Sequence, residues 1–125
     1  MLKDLIIFHK AYEFLKWAHV VVSKFPRSEK FVLAQRINNS SLDLLAAVIE
    51  ANAGRNKAGD LPKVELSLEK LRIWFRLGFD LKHVNIKQYE NSARMLDEIG
   101  RLLGGWKKNF PVSGAAGAAD GEAKG

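Results

Sequence analysis

Asn85-Ile-Lys-Gln-Tyr-Glu-Asn-Ser-Ala-Arg-Met-Leu-Asp-Glu-Ile-Gly-Arg-Leu-Leu-Gly-Gly-Trp106 reads as one amphipathic helix, and that reading decides the fold. Ile86, Tyr89, Ala93, Leu96, Gly100 and Leu103 recur at alternating spacings of three and four, which is the pattern of a helix seam. Asn85, with Gln88 three positions on, forms a capping box at its start. The same stretch carries a basic residue at every seventh position: Lys87, Arg94, Arg101 and, just beyond it, Lys108. Seven residues is close to two helical turns, so these cations drift by only about 20° per step and stay on one side. Gly100 and Gly104, four apart, would let another backbone approach closely. Gly104-Gly105 reads equally as a stop near the helix end.

Working outward, the preceding segment repeats the pattern. Asp60 caps a third helix with Pro62 in its first turn, and Val64, Leu68, Leu71, Phe75 and Gly78 mark its apolar face, with Phe79 beside it, before an end near His83. Arg72 and Arg76, four apart, share a face. Gly54 to Gly59 is a polar loop. Before it, a second helix runs from a Ser28 cap to about Ala53, with Leu33, Ile37, Leu44, Val48 and Ala51 inward. Asn38-Asn39-Ser40-Ser41 interrupts that pattern with small residues that admit a close neighbour. The first helix starts at an Asp4 cap, follows Leu5, Phe8, Tyr12, Leu15, His19 and Val22, and ends near Lys24, where Phe25-Pro26-Arg27-Ser28 breaks it. No segment alternates with a strand period and no internal repeat is present. Four helices with short connections predict an all-α, antiparallel up-down-up-down bundle over residues 1–112. Residues 113–125 are Gly, Ala and a few charges, and read as a disordered tail.

The 125 residues are 47% hydrophobic and carry a formal net charge of +6. Taking Asp120, Glu122 and Lys124 out of 20 basic and 14 acidic residues leaves a body of 19 and 12, so the basic excess belongs to the folded part. There is no cysteine, which excludes disulfides, thiolate metal sites and cysteine nucleophiles and fits a cytoplasmic protein. The N-terminus enters amphipathic sequence directly and does not read as a signal peptide. No apolar run approaches the roughly 18 residues of a membrane span, so no membrane partner is expected.

Catalytic chemistry finds little to work with. No two of His9, His19 and His83 stand at the spacing of a metal-binding helix, and there is no Glu-x-x-His motif. His19, on the apolar seam, reads as a packed, hydrogen-bonded histidine. No phosphate-binding Gly loop or nucleophile elbow is present. The chain is therefore expected to be no enzyme and to need no cofactor or metal.

The cations carry more. Glu90 and Asp97 stand within helical reach of Lys87, Arg94 and Arg101, so a solvated face laced with ion pairs of about 0.2–0.5 kcal/mol each competes with a polyanion-binding reading. The surplus at Lys24, Arg27, Arg55, Lys57, Lys107 and Lys108 favours the polyanion. Arginine suits phosphate because its planar fork donates two hydrogen bonds at once. The apolar residues also exceed one inward stripe per helix: Ile7, Val21, Leu42, Ile49, Leu66, Ile73, Leu77 and Leu102, with Trp17, Trp74 and Trp106, need a second place to go. That surplus points to a subunit interface at Trp17, Trp74 and Trp106, with Gly100 and Gly104 beside it.

Several runs together are distinctive: Leu5-Ile6-Ile7-Phe8, Asn52 at the end of the second helix, Leu68-Glu69-Lys70-Leu71-Arg72, Arg76-Leu77, Asp80-Leu81-Lys82, Gln88-Tyr89-Glu90, and above all Asp97-Glu98-Ile99-Gly100-Arg101-Leu102-Leu103-Gly104-Gly105-Trp106, which bundle patterning does not require. Over about residues 3 to 108 the chain resembles the accessory variability determinant (Avd) proteins of diversity-generating retroelements. These belong to a group of four-helix bundles that includes the rRNA intervening-sequence proteins. The resemblance implies a homopentameric barrel of bundles with a basic surface, and nucleic-acid binding without strict sequence specificity. It implies association with the retroelement reverse transcriptase and support of template-RNA-primed, error-prone cDNA synthesis. It implies no catalytic activity. The family's basic pair corresponds to Arg72 and Arg76, and its helix-four arginines to Arg94 and Arg101. Lys82, Lys87, Lys107 and Lys108 add positive field, and Arg36 is a further candidate. The alternative is an intervening-sequence-type oligomeric scaffold for protein interaction. The expected partners are the reverse transcriptase, template RNA and DNA, and other copies of the chain.

Overall fold

In the computed structural model, which describes residues 5–54 and 57–109, four helices follow one another: α1 (Ile6–Val22), α2 (Leu33–Ala53), α3 (Lys57–Asp80) and α4 (Ile86–Asn109). Helix α1 packs on α2, α2 on α3, α3 on α4, and α4 returns to α1. This is an all-α four-helix bundle in up-down-up-down order. The expected Asp4 cap, Arg55 and the tail from residue 113 lie outside the described residues.

Helices α2 and α3 turn inward the faces their periodicity predicts. Leu33, Ile37, Leu44, Val48 and Ala51 of α2, and Val64, Leu68, Leu71 and Phe75 of α3, are all buried. The small residues of α2 do admit a neighbour. Ser40 and Ser41 are buried, Ser41 Oγ donates to the Ile37 carbonyl at 2.8 Å, and Trp74 Nε1 of α3 donates to Ser40 Oγ at 3.0 Å. These bonds satisfy polar groups that would otherwise cost about 1–3 kcal/mol each when buried.

Helix α1 is rotated by one residue, about 100°, from the expected seam. Its buried residues are Ile7, Ala11, Phe14, Ala18, Val21 and Val22. Leu5, Phe8 and Leu15 are half-buried on the flank, and Tyr12 and His19 are exposed. The packed-histidine reading of His19 is therefore wrong. Two alanines occupy the seam, which lets the neighbouring backbones close in around the fully buried Phe14. Ile7 and Val21, counted above as surplus, are core. Phe14 meets Phe75 edge-on at 5.9 Å, and Trp17 stacks on Phe75 at 5.6 Å. Each such aromatic pair contributes about 0.5–1.5 kcal/mol beyond its burial.

The helix starts also differ. Ser28 does not cap α2: Arg27–Glu29 form a 3₁₀ turn and α2 begins at Leu33, where Glu29 Oε1 accepts the Leu33 N–H at 3.4 Å. Helix α3 begins at Lys57, so Asp60 is not its cap but a buried first-turn residue. A carboxylate there is favoured by the helix dipole, and Lys63 approaches it at 3.8 Å.

The α3–α4 connection is tightly built. His83 N–H donates to the Gly78 carbonyl at 2.9 Å and Lys82 N–H to the Phe79 carbonyl at 3.0 Å, a Schellman closure. Lys82 holds φ at 66°, a position that glycine adopts at less cost. Val84 folds back on Gly78, where an added Cβ would stand 2.9 Å from Val84 Cγ2. The capping box then forms as read from sequence: Gln88 N–H donates to Asn85 Oδ1 at 2.8 Å and Asn85 N–H to Gln88 Oε1 at 2.9 Å.

Helix α4 buries Leu96 and Leu103 as expected, but Ser92 and Ile99 complete its inner face and Ile86 is exposed. Gly104-Gly105 is no stop. The helix continues to Asn109, and half-buried Trp106 packs on the core.

Candidate nucleic-acid interface

Helix α4 presents its basic stripe outward. On its wheel Asp97, Lys108, Arg101, Arg94 and Lys87 span an arc of about 80°, and all five are exposed. Glu90 shares that arc and is also exposed. The expected intrahelical ion pairs do not form. Among the described residues, Lys87, Arg101 and Lys108 enter no ion pair. Arg94 Nη2 bonds the neutral side chain of Asn91 instead of Glu90 or Asp97.

Asp97 is engaged from elsewhere. Arg72 crosses from α3, and its Nη1 donates to Asp97 Oδ1 at 2.6 Å while Nη2 reaches the Leu96 carbonyl at 3.4 Å. The guanidinium lies over Gly100, at 3.5 Å from where a Cβ would stand. Helical spacing assigns Asp97 to Arg101; the fold gives it to Arg72. Spacing within one helix carries no signal for such a cross-helix partner.

Arg76 is held closer to its own helix. Its Nε donates to Asp80 Oδ1 at 3.3 Å. That hydrogen bond and charge, with Tyr89 adding to them, push the guanidinium above its ordinary range. Lys107 sits beside Glu65 of α3 at 3.3 Å, and Lys10 of α1 meets Glu98 of α4 at 3.3 Å. Lys82 is exposed on the α3–α4 turn. Arg36 stands apart from this face, in a cleft between α2 and α3. The fold thus gathers Arg72, Arg94, Arg101, Lys87 and Lys108 on and against the outer face of α4.

The three tryptophans are half-buried against their own core. Gly104 has open space around it. Among the described residues the apolar side chains left most bare are aliphatic or on other flanks: Leu42 and Ile49 of α2, Leu66, Ile73 and Leu77 of α3, Ile6, Tyr12 and Val20 of α1, Leu81 and Ile86 around the α3–α4 turn, and Phe31 and Val32 ahead of α2.

Among the described residues, no group of three or more His, Asp or Glu is placed to hold a metal ion, and no helix is long and apolar enough to cross a membrane. A family model described as bAvd-like matches residues 5–110. No curated protein matches the chain.

Proposed function

The chain belongs to the bAvd-like family associated with diversity-generating retroelements, whose members are non-catalytic, and from that membership we propose that it is a nucleic-acid-binding accessory protein. In this reading it associates with the retroelement reverse transcriptase and its template RNA and supports mutagenic cDNA synthesis. The observation that carries the reading is the outer face of α4: among the described residues Lys87, Arg101 and Lys108 point to solvent without a carboxylate partner, and Asp97, the acid within helical reach of Arg101, is engaged by Arg72. Arg94 extends the stripe, and Lys82 adds charge at its end. Arg72, Arg76 and Lys107 are tied to carboxylates, so they contribute by exchanging those partners for phosphate.

Contacts made only to phosphates carry no base information, so binding is promiscuous and falls steeply with salt. Several copies in one particle multiply a modest patch into a strong one. Exposed Tyr12, Leu42 and Ile49, on the adjoining helices α1 and α2, supply apolar surface for self-association into the pentameric barrel. The sequence-expected interface at Trp17, Trp74, Trp106, Gly100 and Gly104 lies on other flanks, with Trp74 in the α2–α3 cleft and Gly100 under Arg72 of α3, and would be a second contact surface.

The test is a salt titration of binding to single-stranded RNA and duplex DNA, with a Lys87→Ala/Arg94→Ala/Arg101→Ala variant alongside. Each lost phosphate contact lowers the log–log slope by about 0.7–0.9. A flat wild-type response, or an unchanged slope in the variant, rejects the interface. Undetectable binding to any polyanion at low salt, in a particle that still captures the reverse transcriptase, favours the protein-scaffold alternative.

A further inference from the structure

Phe31 is the most exposed large apolar side chain among the described residues, at 76% of its free surface. It lies at the edge of a cleft of about 430 Å³ between α2 and α3. An isolated exposed ring needs no explanation. This ring has three features around it that do.

Half-buried Trp74 lines the same cleft, with its indole fixed by the bond to Ser40. Arg36 and Lys70 line it from opposite helices, and among the described residues neither enters an ion pair. Lys30 Nζ lies over one face of the Phe31 ring, 5.5 Å from its centroid, a third cation beside the platform. Asp43 is the one carboxylate among the lining residues. The rest of the lining is mostly polar, with Asn39 among it.

An aromatic platform flanked by unpaired cations is the arrangement that holds single strands. A base stacks on the ring while the backbone meets the charges. We infer that the α2–α3 cleft receives an unpaired nucleotide of a single strand, its base on Phe31 and its phosphates at Arg36 and Lys70. Asp43 can accept from the exocyclic amine of a base, as carboxylates do from cytosine N4. A paired base is already stacked in its helix and cannot reach the ring. The cleft therefore separates single strands from duplexes, which the α4 face does not. This inference rests on the nucleic-acid-binding reading above and adds to it the strand state of the ligand.

The test uses the full chain with Phe31→Ala and Phe31→Trp, against a labelled single-stranded RNA and the duplex of the same sequence, with the native particle mass measured for each. Phe31→Ala is expected to weaken single-strand binding by about tenfold, to leave duplex binding and the salt slope unchanged, and to keep the wild-type mass. Phe31→Trp retains or tightens binding. Arg36→Ala/Lys70→Ala weakens single-strand binding and lowers its slope. Equal loss toward both ligands, no loss at all, or a changed particle mass in Phe31→Ala overturns the inference, the last by making the ring a contact between copies. If the α4 variant loses binding and Phe31→Ala does not, the cleft assignment alone falls. If the wild type binds no polyanion, the functional reading falls first.

Discussion

Arg72 of α3 and Asp97 of α4 meet at 2.6 Å across the helix seam, and that contact sets the charge of the face beside it. The two side chains are 40% and 55% exposed, so as a stability element the pair belongs with surface ion pairs, worth about 0–1 kcal/mol. Its larger effect is on what it leaves undone. Arg101, four residues beyond Asp97, keeps its charge for other partners.

Asp97→Asn should therefore tighten polyanion binding rather than weaken it, since Arg72 no longer has to leave a carboxylate to reach phosphate and the face loses one negative charge. The stability loss should stay below about 1 kcal/mol. Anisotropy titrations at several salt concentrations, with urea unfolding of the same protein, check both. Unchanged affinity in Asp97→Asn would mean that Arg72 does not face the ligand.

Lys82→Gly should stabilise the fold by about 1 kcal/mol, because the positive φ at this position strains any side chain bearing a Cβ. The expected readout is a higher urea midpoint with an unchanged m-value. Polyanion affinity should fall slightly through the lost charge, so stability and binding move in opposite directions.

Gly78→Ala should destabilise by about 1–3 kcal/mol through overpacking, since the new methyl group meets Val84. The companion Gly78→Ala/Val84→Ala should recover part of that loss. If the single variant unfolds at the wild-type midpoint, the turn is looser than the contact at Gly78 implies.

Leu42→Glu/Ile49→Glu should lower the native particle mass and leave the helical circular dichroism intact, because both side chains are exposed in the single bundle. Phe75→Ala, by contrast, should cost about 3–5 kcal/mol and lose the fold itself. A Leu42→Glu/Ile49→Glu variant with wild-type mass would move the self-association surface elsewhere on the bundle.

Four helices, their order, and the inward faces of α2 and α3 were legible in the chain, because bulky aliphatic residues fill those faces at regular spacing. The Asn85–Gln88 box was legible because both partners lie on one turn. Helix α1 was not. Its seam is built from Ala11 and Ala18 around one phenylalanine, while Phe8 and Tyr12 on the flank outweigh them in any hydrophobic pattern. Helix α4 misled for a related reason, since Ser92 is inside and Ile86 outside. The start of α2 was hidden by a glutamate that caps from beyond the helix. For the basic face, the positions were legible and the pairing was not: Arg72 and Asp97 are 25 residues apart. The cleft beside Phe31 needs two helices and a turn placed together, and no window of sequence contains it.

Glu29 has one further consequence. One of its oxygens accepts the Leu33 N–H, and the other meets His83 Nε2 at 3.0 Å. A single carboxylate thus rivets the α1–α2 connection to the α3–α4 connection, and both halves of the molecule are clamped at that pole. Opening of the bundle is therefore expected to begin away from that pole. Amide protons near Glu29 and His83 should be the last to exchange among those in the connections.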